Sequence, residues 1–94
     1  MPRLAAAESY LQQGSVPGGT GRNWASYGHK IGAVTDEQRA WLCDPQTSGG
    51  LLVCVDPTGR EAVQAVFAKY GLVLESFGHL RAHTADEAWV QVSA

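Results

Sequence analysis

The feature that most constrains the fold is an unbroken run of five apolar residues, 51–55, which directly follows Gly49 and Gly50. A strand with one face in water alternates apolar and polar side chains, whereas a strand that is apolar at every position is typical of a sheet covered on both faces. The run is also far shorter than the ~20 apolar residues that cross a bilayer. We therefore expect residues 51–55 to form a buried strand.

The residues after this run predict one helix and two further strands. Thr58 and Glu61 have the spacing of a capping box, and an apolar stripe at helical spacing follows as far as Gly71. The apolar patterns at 72–77 and 88–92 indicate strands. The order strand, helix, strand, strand predicts an α+β fold, in which flanking helices cover a partial ferredoxin-like β-α-β-β sheet whose first two strands are parallel.

The N-terminal half predicts short helices around a glycine-rich loop. Residues 4–13 are good helix formers, and Gly14 stands where a left-handed cap would end the helix. Residues 14–23 hold four glycines and one proline, so we expect a long loop there. A short helix is expected at 24–30, and the capping box of Thr35 and Gln38 predicts another that ends near residue 42.

Charge argues against a nucleic-acid-binding function. The chain has 94 residues, so we expect one small domain. Its formal net charge is -2, and it has no basic stripe that could neutralise a row of phosphates. No row of Lys or Arg accompanies the tryptophans either, so we expect them to pack within the protein rather than to stack on bases. These tryptophans are Trp24, Trp41 and Trp89.

The cysteines and the N-terminus indicate a cytoplasmic protein. The apolar start at residues 4–7 is interrupted by Glu8 before a secretory segment forms. Cys43 and Cys54 belong to no CxxC pair, so we expect no metal site and two reduced cysteines that pack as apolar side chains. Neither nucleic acid nor membrane is an expected partner.

Two motifs in this chain resemble a known enzyme family. The first is VPGGTGRN at residues 16–23, followed by ASYG at 25–28, and the second is LCDPQTSGGLL at 42–52. In order and separation they closely resemble the C-terminal end of selenophosphate synthetase, also called selenide, water dikinase. The resemblance spans nearly the whole chain, because the predicted helix after Thr58 and the strand ending at Phe77 and Gly78 also fall where that family has them.

This resemblance implies a reaction and its cofactors. The family transfers a phosphoryl group from ATP to selenide, and it shares a superfamily with aminoimidazole ribonucleotide synthetase. Members join an N-terminal ATP-binding domain to an α/β C-terminal domain, and this chain resembles the last part of the second domain. ATP and Mg²⁺ are therefore implied for the full-length enzyme, and no cofactor is expected for this chain.

The resemblance also implies that the chain lacks the family's reactive groups. The reactive Cys or selenocysteine, a Lys and the metal-binding aspartates of the family lie upstream of the region that this chain resembles. Phosphoryl transfer depends on metal ions and on in-line positioning of the nucleophile, so we expect no catalytic residue here and no turnover by this chain alone. We expect a scaffold with accessory ligand loops; a stand-alone module that binds a small anion or a partner protein is the alternative.

The two glycine-rich loops supply the candidate residues that face substrate or phosphate. Backbone N–H groups and an Arg close to a helix start suit an anion, although tight turns or close packing also account for such glycines. Hydroxyl and carboxylate groups of the second loop can hydrogen-bond a ligand. The candidates are Gly18, Gly19, Thr20, Arg22, Asn23, Asp44, Thr47, Ser48, Gly49 and Gly50.

Incomplete coverage of the predicted sheet favours association. A chain that holds part of an α/β domain leaves apolar area and sheet edges open, and both are poorly tolerated in water. We therefore expect a homodimer, or association with the missing N-terminal domain.

Overall fold

Helices are the regular elements of this structure, a computed structural model that describes residues 1–93. The chain divides into a larger unit, Arg3–Ser48 with the residues from Ala82 onward, and a smaller unit, Gly49–Arg81 with Met1–Pro2. The larger unit contains α1 (Ala5–Gln12), α2 (Gly19–Tyr27), a 3₁₀ turn (Gly28–Lys30) and α3 (Asp36–Leu42), and the smaller unit contains a 3₁₀ turn (Pro57–Gly59) and α4 (Arg60–Lys69).

Two helices end at a glycine in the left-handed conformation, at Gly14, where the sequence predicts such a cap, and at Gly71, where it predicts the end of a helix. Gly14 (φ +81°) follows α1, and Gly71 (φ +74°) follows α4. After α1, Gly14 N donates to Leu11 O at 2.9 Å and the next amide donates to Tyr10 O at 3.0 Å. The same pair of bonds follows α4. This is the Schellman arrangement, which satisfies carbonyl groups that the helix itself leaves unpaired.

The start of α3 confirms the capping box predicted at Thr35. Its hydroxyl accepts a hydrogen bond from Gln38 N at 3.1 Å, and the Gln38 side chain accepts one from Thr35 N at 2.9 Å. Two backbone N–H groups that a helix start leaves unpaired are thereby satisfied. The helix ends at Leu42, where the sequence predicts its end.

The capping box predicted between Thr58 and Glu61 is wrong. Asp56 accepts hydrogen bonds from Thr58 N at 2.9 Å and from the Thr58 hydroxyl at 2.7 Å instead. These bonds favour the charged carboxylate and lower the pKa of Asp56, the backbone bond contributing more than the hydroxyl. The chain then makes the 3₁₀ turn before α4 begins at Arg60.

The long loop predicted for residues 14–23 is wrong in its second half, because α2 begins at Gly19 rather than at Trp24. Glycine disfavours a helix by about 1 kcal/mol relative to alanine, a cost that tertiary contacts can exceed. Here Asn23 hydrogen-bonds Cys43, and the Arg39 guanidinium lies over the Trp24 ring. Contacts with residues outside the segment therefore outweigh the preference of its glycines for a loop.

The predicted ferredoxin-like β-α-β-β sheet is also wrong. Helices make up 43% of the structure, and within residues 1–93 the pairing of extended backbone is limited to an isolated parallel bridge between Ile31 and Val90. Neither segment 51–55 nor segment 72–77 contains a residue in a strand. A strand needs a neighbour to pair with its backbone groups, and no described segment forms such a ladder with them.

Apolar side chains consequently remain in water, contrary to the predicted burial of residues 51–55. Leu51 is 92% exposed and Val73 is 89% exposed. Cys54 is exposed too, whereas Cys43 is buried as predicted. None of the helices described in residues 1–93 is long and apolar enough to span a membrane.

Candidate functional site

The two motifs meet in the larger unit through a hydrogen bond between Asn23 and Cys43. The Asn23 Nδ2 atom, on α2, donates to the backbone carbonyl of Cys43 at 2.8 Å in a part-buried setting. Cys43 directly follows α3 and is 7% exposed. A residue of the first motif therefore holds the backbone at the beginning of the second.

Gly19 and Pro45 form the second contact between the motifs. A Cβ atom on Gly19 would lie 2.9 Å from Pro45 Cγ and 3.1 Å from Pro45 Cβ. Those distances are shorter than ordinary carbon contacts, and the proline ring has little freedom to move aside. Close packing is therefore one reason for a glycine at position 19.

The first turn of α2 has a positively charged side chain beside it and open space next to part of its backbone. Arg22 Nη2 lies 3.6 Å from the position that a Cβ would take on Gly19, so the guanidinium folds back against this turn. No acidic residue lies in the turn, and no side chain caps it at Gly18. A Cβ on Gly18 or on Gly21 would meet nothing within 4 Å. The turn is crowded at Gly19 and open at Gly18 and Gly21.

Thr20 is the buried polar residue of this turn. The residue is 5% exposed, and its backbone N–H donates to Pro17 O at 3.1 Å. Its hydroxyl oxygen is buried and has no hydrogen-bond partner among the described residues. Leaving a buried hydroxyl without a partner costs about 1–3 kcal/mol.

The second motif contributes less to this arrangement. Asp44 is exposed, and its carboxylate accepts a hydrogen bond from Gln46 Nε2 at 3.1 Å. Thr47 and Ser48 are exposed at the end of the larger unit. Gly49 and Gly50 are exposed and belong to the smaller unit. Of the candidate residues, the structure thus gathers those of the first motif around the first turn of α2.

Arginine–tryptophan pairs are features that sequence reasoning missed. The Arg39 guanidinium carbon lies 4.5 Å from the centroid of the Trp24 ring, and that of Arg3 lies 4.8 Å from the Trp41 ring. Arg39 also pairs with Asp36 at 3.3 Å. The three-residue spacing of Asp36 and Arg39 could have indicated that ion pair, but no local pattern indicates the rings, because each lies on a different element from its arginine.

A groove between α1 and α3 is separate from the candidate residues. Its volume is about 340 Å³, and none of the candidate residues lines it. Its lining combines three carboxylates, one amide and three apolar side chains, namely Glu8, Asp36, Glu37, Gln12, Leu11, Val16 and Ala40. Two of the carboxylates are engaged within the chain, since Asp36 pairs with Arg39 and Glu37 lies 3.8 Å from Arg3.

The described residues contain no cluster of three metal-ligating side chains. Mg²⁺ in proteins is held by oxygen ligands that include carboxylates. In residues 1–93, no three side chains of His, Cys, Asp or Glu come together. The ion implied for the full-length enzyme therefore finds no ligand cluster in this part of the chain.

Comparison with known proteins identifies the relatives of this chain. No family model matches it. It is 49% identical over 92 residues to the selenide, water dikinase of Cronobacter sakazakii and 50% identical over 92 residues to that of Yersinia pseudotuberculosis, in each case over 98% of this chain. It is 55% identical over 80 residues, 85% of this chain, to that of Pseudomonas putida. The chain is homologous to selenide, water dikinase.

The homology covers a C-terminal portion of that enzyme. This chain spans 26% of the Cronobacter and Yersinia selenide, water dikinases and 23% of the Pseudomonas one. Because 98% of the chain is matched, both motifs lie within the matched region. The resemblance predicted from the motifs is therefore confirmed.

Proposed function

We propose that this chain supplies a structural part of a selenide, water dikinase and carries no catalytic site of its own. The observation that supports this proposal is the match of nearly the whole chain, at about half identity, to about a quarter of the curated enzymes. In the proposed assembly, the remaining three quarters bind ATP and Mg²⁺ and carry out phosphoryl transfer to selenide. Cytoplasmic location belongs to the same proposal.

The exposed apolar side chains of the smaller unit support a scaffold role. α4 contains no buried residue, and both segments beside it carry large apolar side chains in water, including Leu51 and Val73. Large apolar side chains left in water in such number favour a surface that contacts other protein. In a full-length enzyme, the remaining part of the polypeptide would cover them.

A chimera tests the proposal. The segment of the Cronobacter sakazakii selenide, water dikinase that matches this chain is replaced by residues 1–94, and selenide-dependent formation of AMP from ATP is measured. We expect the chimera to be active, the same enzyme without the segment to be inactive, and this chain alone to equal a control without protein. The Yersinia pseudotuberculosis segment, transplanted in the same way, is the matched control.

Two results would contradict the proposal. One is a folded chimera that is inactive while the Yersinia chimera is active, which would show that this chain has lost the contacts of the scaffold. The other is selenide-dependent AMP formation by the isolated chain, which would place catalytic groups within these 94 residues.

A second candidate function is a stand-alone assembly module. The same exposed apolar side chains favour it, because a short chain can cover such a surface with a second copy of itself, and a symmetric dimer is the commonest arrangement. A self-associating chain that also fails to restore activity in the chimera would favour this candidate over the scaffold.

A further inference from the structure

We infer that the first turn of α2 is a binding site for a tetrahedral oxyanion of the phosphate or sulfate class. The proposed ligands are the backbone N–H groups of Gly19 and Gly21, the Thr20 hydroxyl and the Arg22 guanidinium. All of them lie within the larger unit. The inference does not rest on the proposed role in selenide, water dikinase, because it uses only groups of this turn.

The backbone of the turn provides the first part of the site. The first N–H groups of a helix have no carbonyl partner within it, and they lie at the positive end of the helix dipole. At the start of α2, the Thr20 N–H is already bonded to Pro17 O. The N–H groups of Gly19 and Gly21 make no backbone hydrogen bond within the described residues. Anions bind at helix starts of this kind.

The Thr20 hydroxyl is the independent observation that points to a ligand. It belongs to a residue that is 5% exposed, and it is buried without a hydrogen-bond partner among the described residues. The Cα–Cβ bonds of a helix tilt toward its N-terminus, so the Thr20 side chain leans toward the end where the free N–H groups lie. A polar atom in such a place is normally satisfied, and an oxyanion would accept its proton.

Arg22 supplies the charge that selects an anion. Its Nη2 atom lies 3.6 Å from the Cβ position of Gly19, beside the first turn. A guanidinium can donate two parallel hydrogen bonds to a tetrahedral oxyanion. The absence of acidic residues from this turn leaves its positive charge unopposed there, and the open space at Gly18 and Gly21 leaves room for an anion. Asp44, in the second motif, has its carboxylate bonded to Gln46.

The test is a titration of the ¹⁵N-labelled chain with inorganic phosphate at constant ionic strength, followed by amide shifts. We expect saturable shifts at Gly19, Thr20 and Gly21. Arg22→Gln should weaken binding about tenfold to hundredfold, which corresponds to the loss of one charge-assisted hydrogen bond. Thr20→Val, which keeps the side-chain shape, should weaken it about threefold to tenfold. Arg60→Gln, which removes the same charge from the other unit, should leave the affinity unchanged.

The inference is overturned by unsaturable shifts at these amides, or by equal phosphate affinity in the wild-type chain and Arg22→Gln. It is also overturned if Arg60→Gln weakens binding as much as Arg22→Gln, because that would show general attraction to positive charge. Arg22 is exposed, so its substitution tests binding even where Thr20→Val disturbs folding. The chimera and this titration can fail independently, since one measures AMP formation and the other measures binding by the isolated chain.

Discussion

Asn23 on α2 donates a hydrogen bond from its side-chain nitrogen to the backbone carbonyl of Cys43, 2.8 Å away and 20 residues later in the chain. Because Cys43 is the most buried apolar residue described, its carbonyl depends on this amide for a partner. The bond joins the two motifs that carry the homology.

Substituting Asn23 should therefore destabilise the larger unit. Asn23→Leu leaves the carbonyl of Cys43 without its partner, which should lower the free energy of unfolding by about 1–3 kcal/mol. Ser26→Ala is the control, because that hydroxyl bonds Arg22 O at an exposed site on the same helix, and it should change stability by less than about 0.5 kcal/mol. Urea denaturation followed by tryptophan fluorescence measures both. An equal loss of unfolding free energy in Asn23→Leu and Ser26→Ala would contradict the prediction that the bond from Asn23 to Cys43 stabilises the larger unit.

Two glycines of α2 should respond to alanine with opposite signs. Gly19→Ala places a Cβ 2.9 Å from Pro45 Cγ, and such overpacking typically costs about 1–3 kcal/mol. Gly21→Ala meets open space within the same helix, so its higher helix propensity should stabilise the chain by about 0.5–1 kcal/mol. Thermal unfolding of the two variants checks this prediction. A rise in Tm for both would mean that Pro45 does not pack against Gly19.

Asp56 should make the stability of α4 depend on pH. Its pKa is lowered in the folded chain by hydrogen bonds from the backbone N–H and the hydroxyl of Thr58, so the folded state favours the carboxylate. The stabilisation is therefore present above the ordinary pKa of 3.8 and is lost as the pH falls through the lower, folded-state pKa.

The measurement compares the wild-type chain with Asp56→Ala. The difference in free energy of unfolding should be larger at pH 7 than near pH 2. Asp44→Ala is the control, because it removes the same negative charge. The Asp44 carboxylate accepts a hydrogen bond from the Gln46 side-chain amide and does not cap a helical turn. A difference between wild type and Asp56→Ala that does not vary with pH would contradict the prediction.

The isolated chain should self-associate through the smaller unit. Its apolar side chains, Leu51 and Val73 among them, are exposed, and a specific interface typically buries about 800 Å² on each partner. Sedimentation equilibrium should give about twice the chain mass of 10.0 kDa at micromolar concentration. The double variant Leu51→Lys, Val73→Lys should be monomeric, whereas Gln12→Lys, on α1, should remain associated. A wild-type monomer would refute the predicted dimer.

Features that depend on neighbours along the chain could be predicted from the amino-acid sequence. The capping box of Thr35 and Gln38, the left-handed Gly14, the end of a helix at Gly71, and the helix ending at Leu42 were all predictable, because each involves bonds within about five residues. The homology was predictable as well, since the two motifs are contiguous in sequence.

The start of α2 and the absence of strands at 51–55 and 72–77 depend on contacts between residues far apart in the chain. Gly19 begins a helix, where local propensity indicates a loop, and the side chains that tie this helix down meet Cys43 and Arg39, about 15–20 residues away. Segments 51–55 and 72–77 have strand-like patterns, yet a strand forms only against another strand. That requirement cannot be read from the segment alone, because it depends on which other segments come alongside.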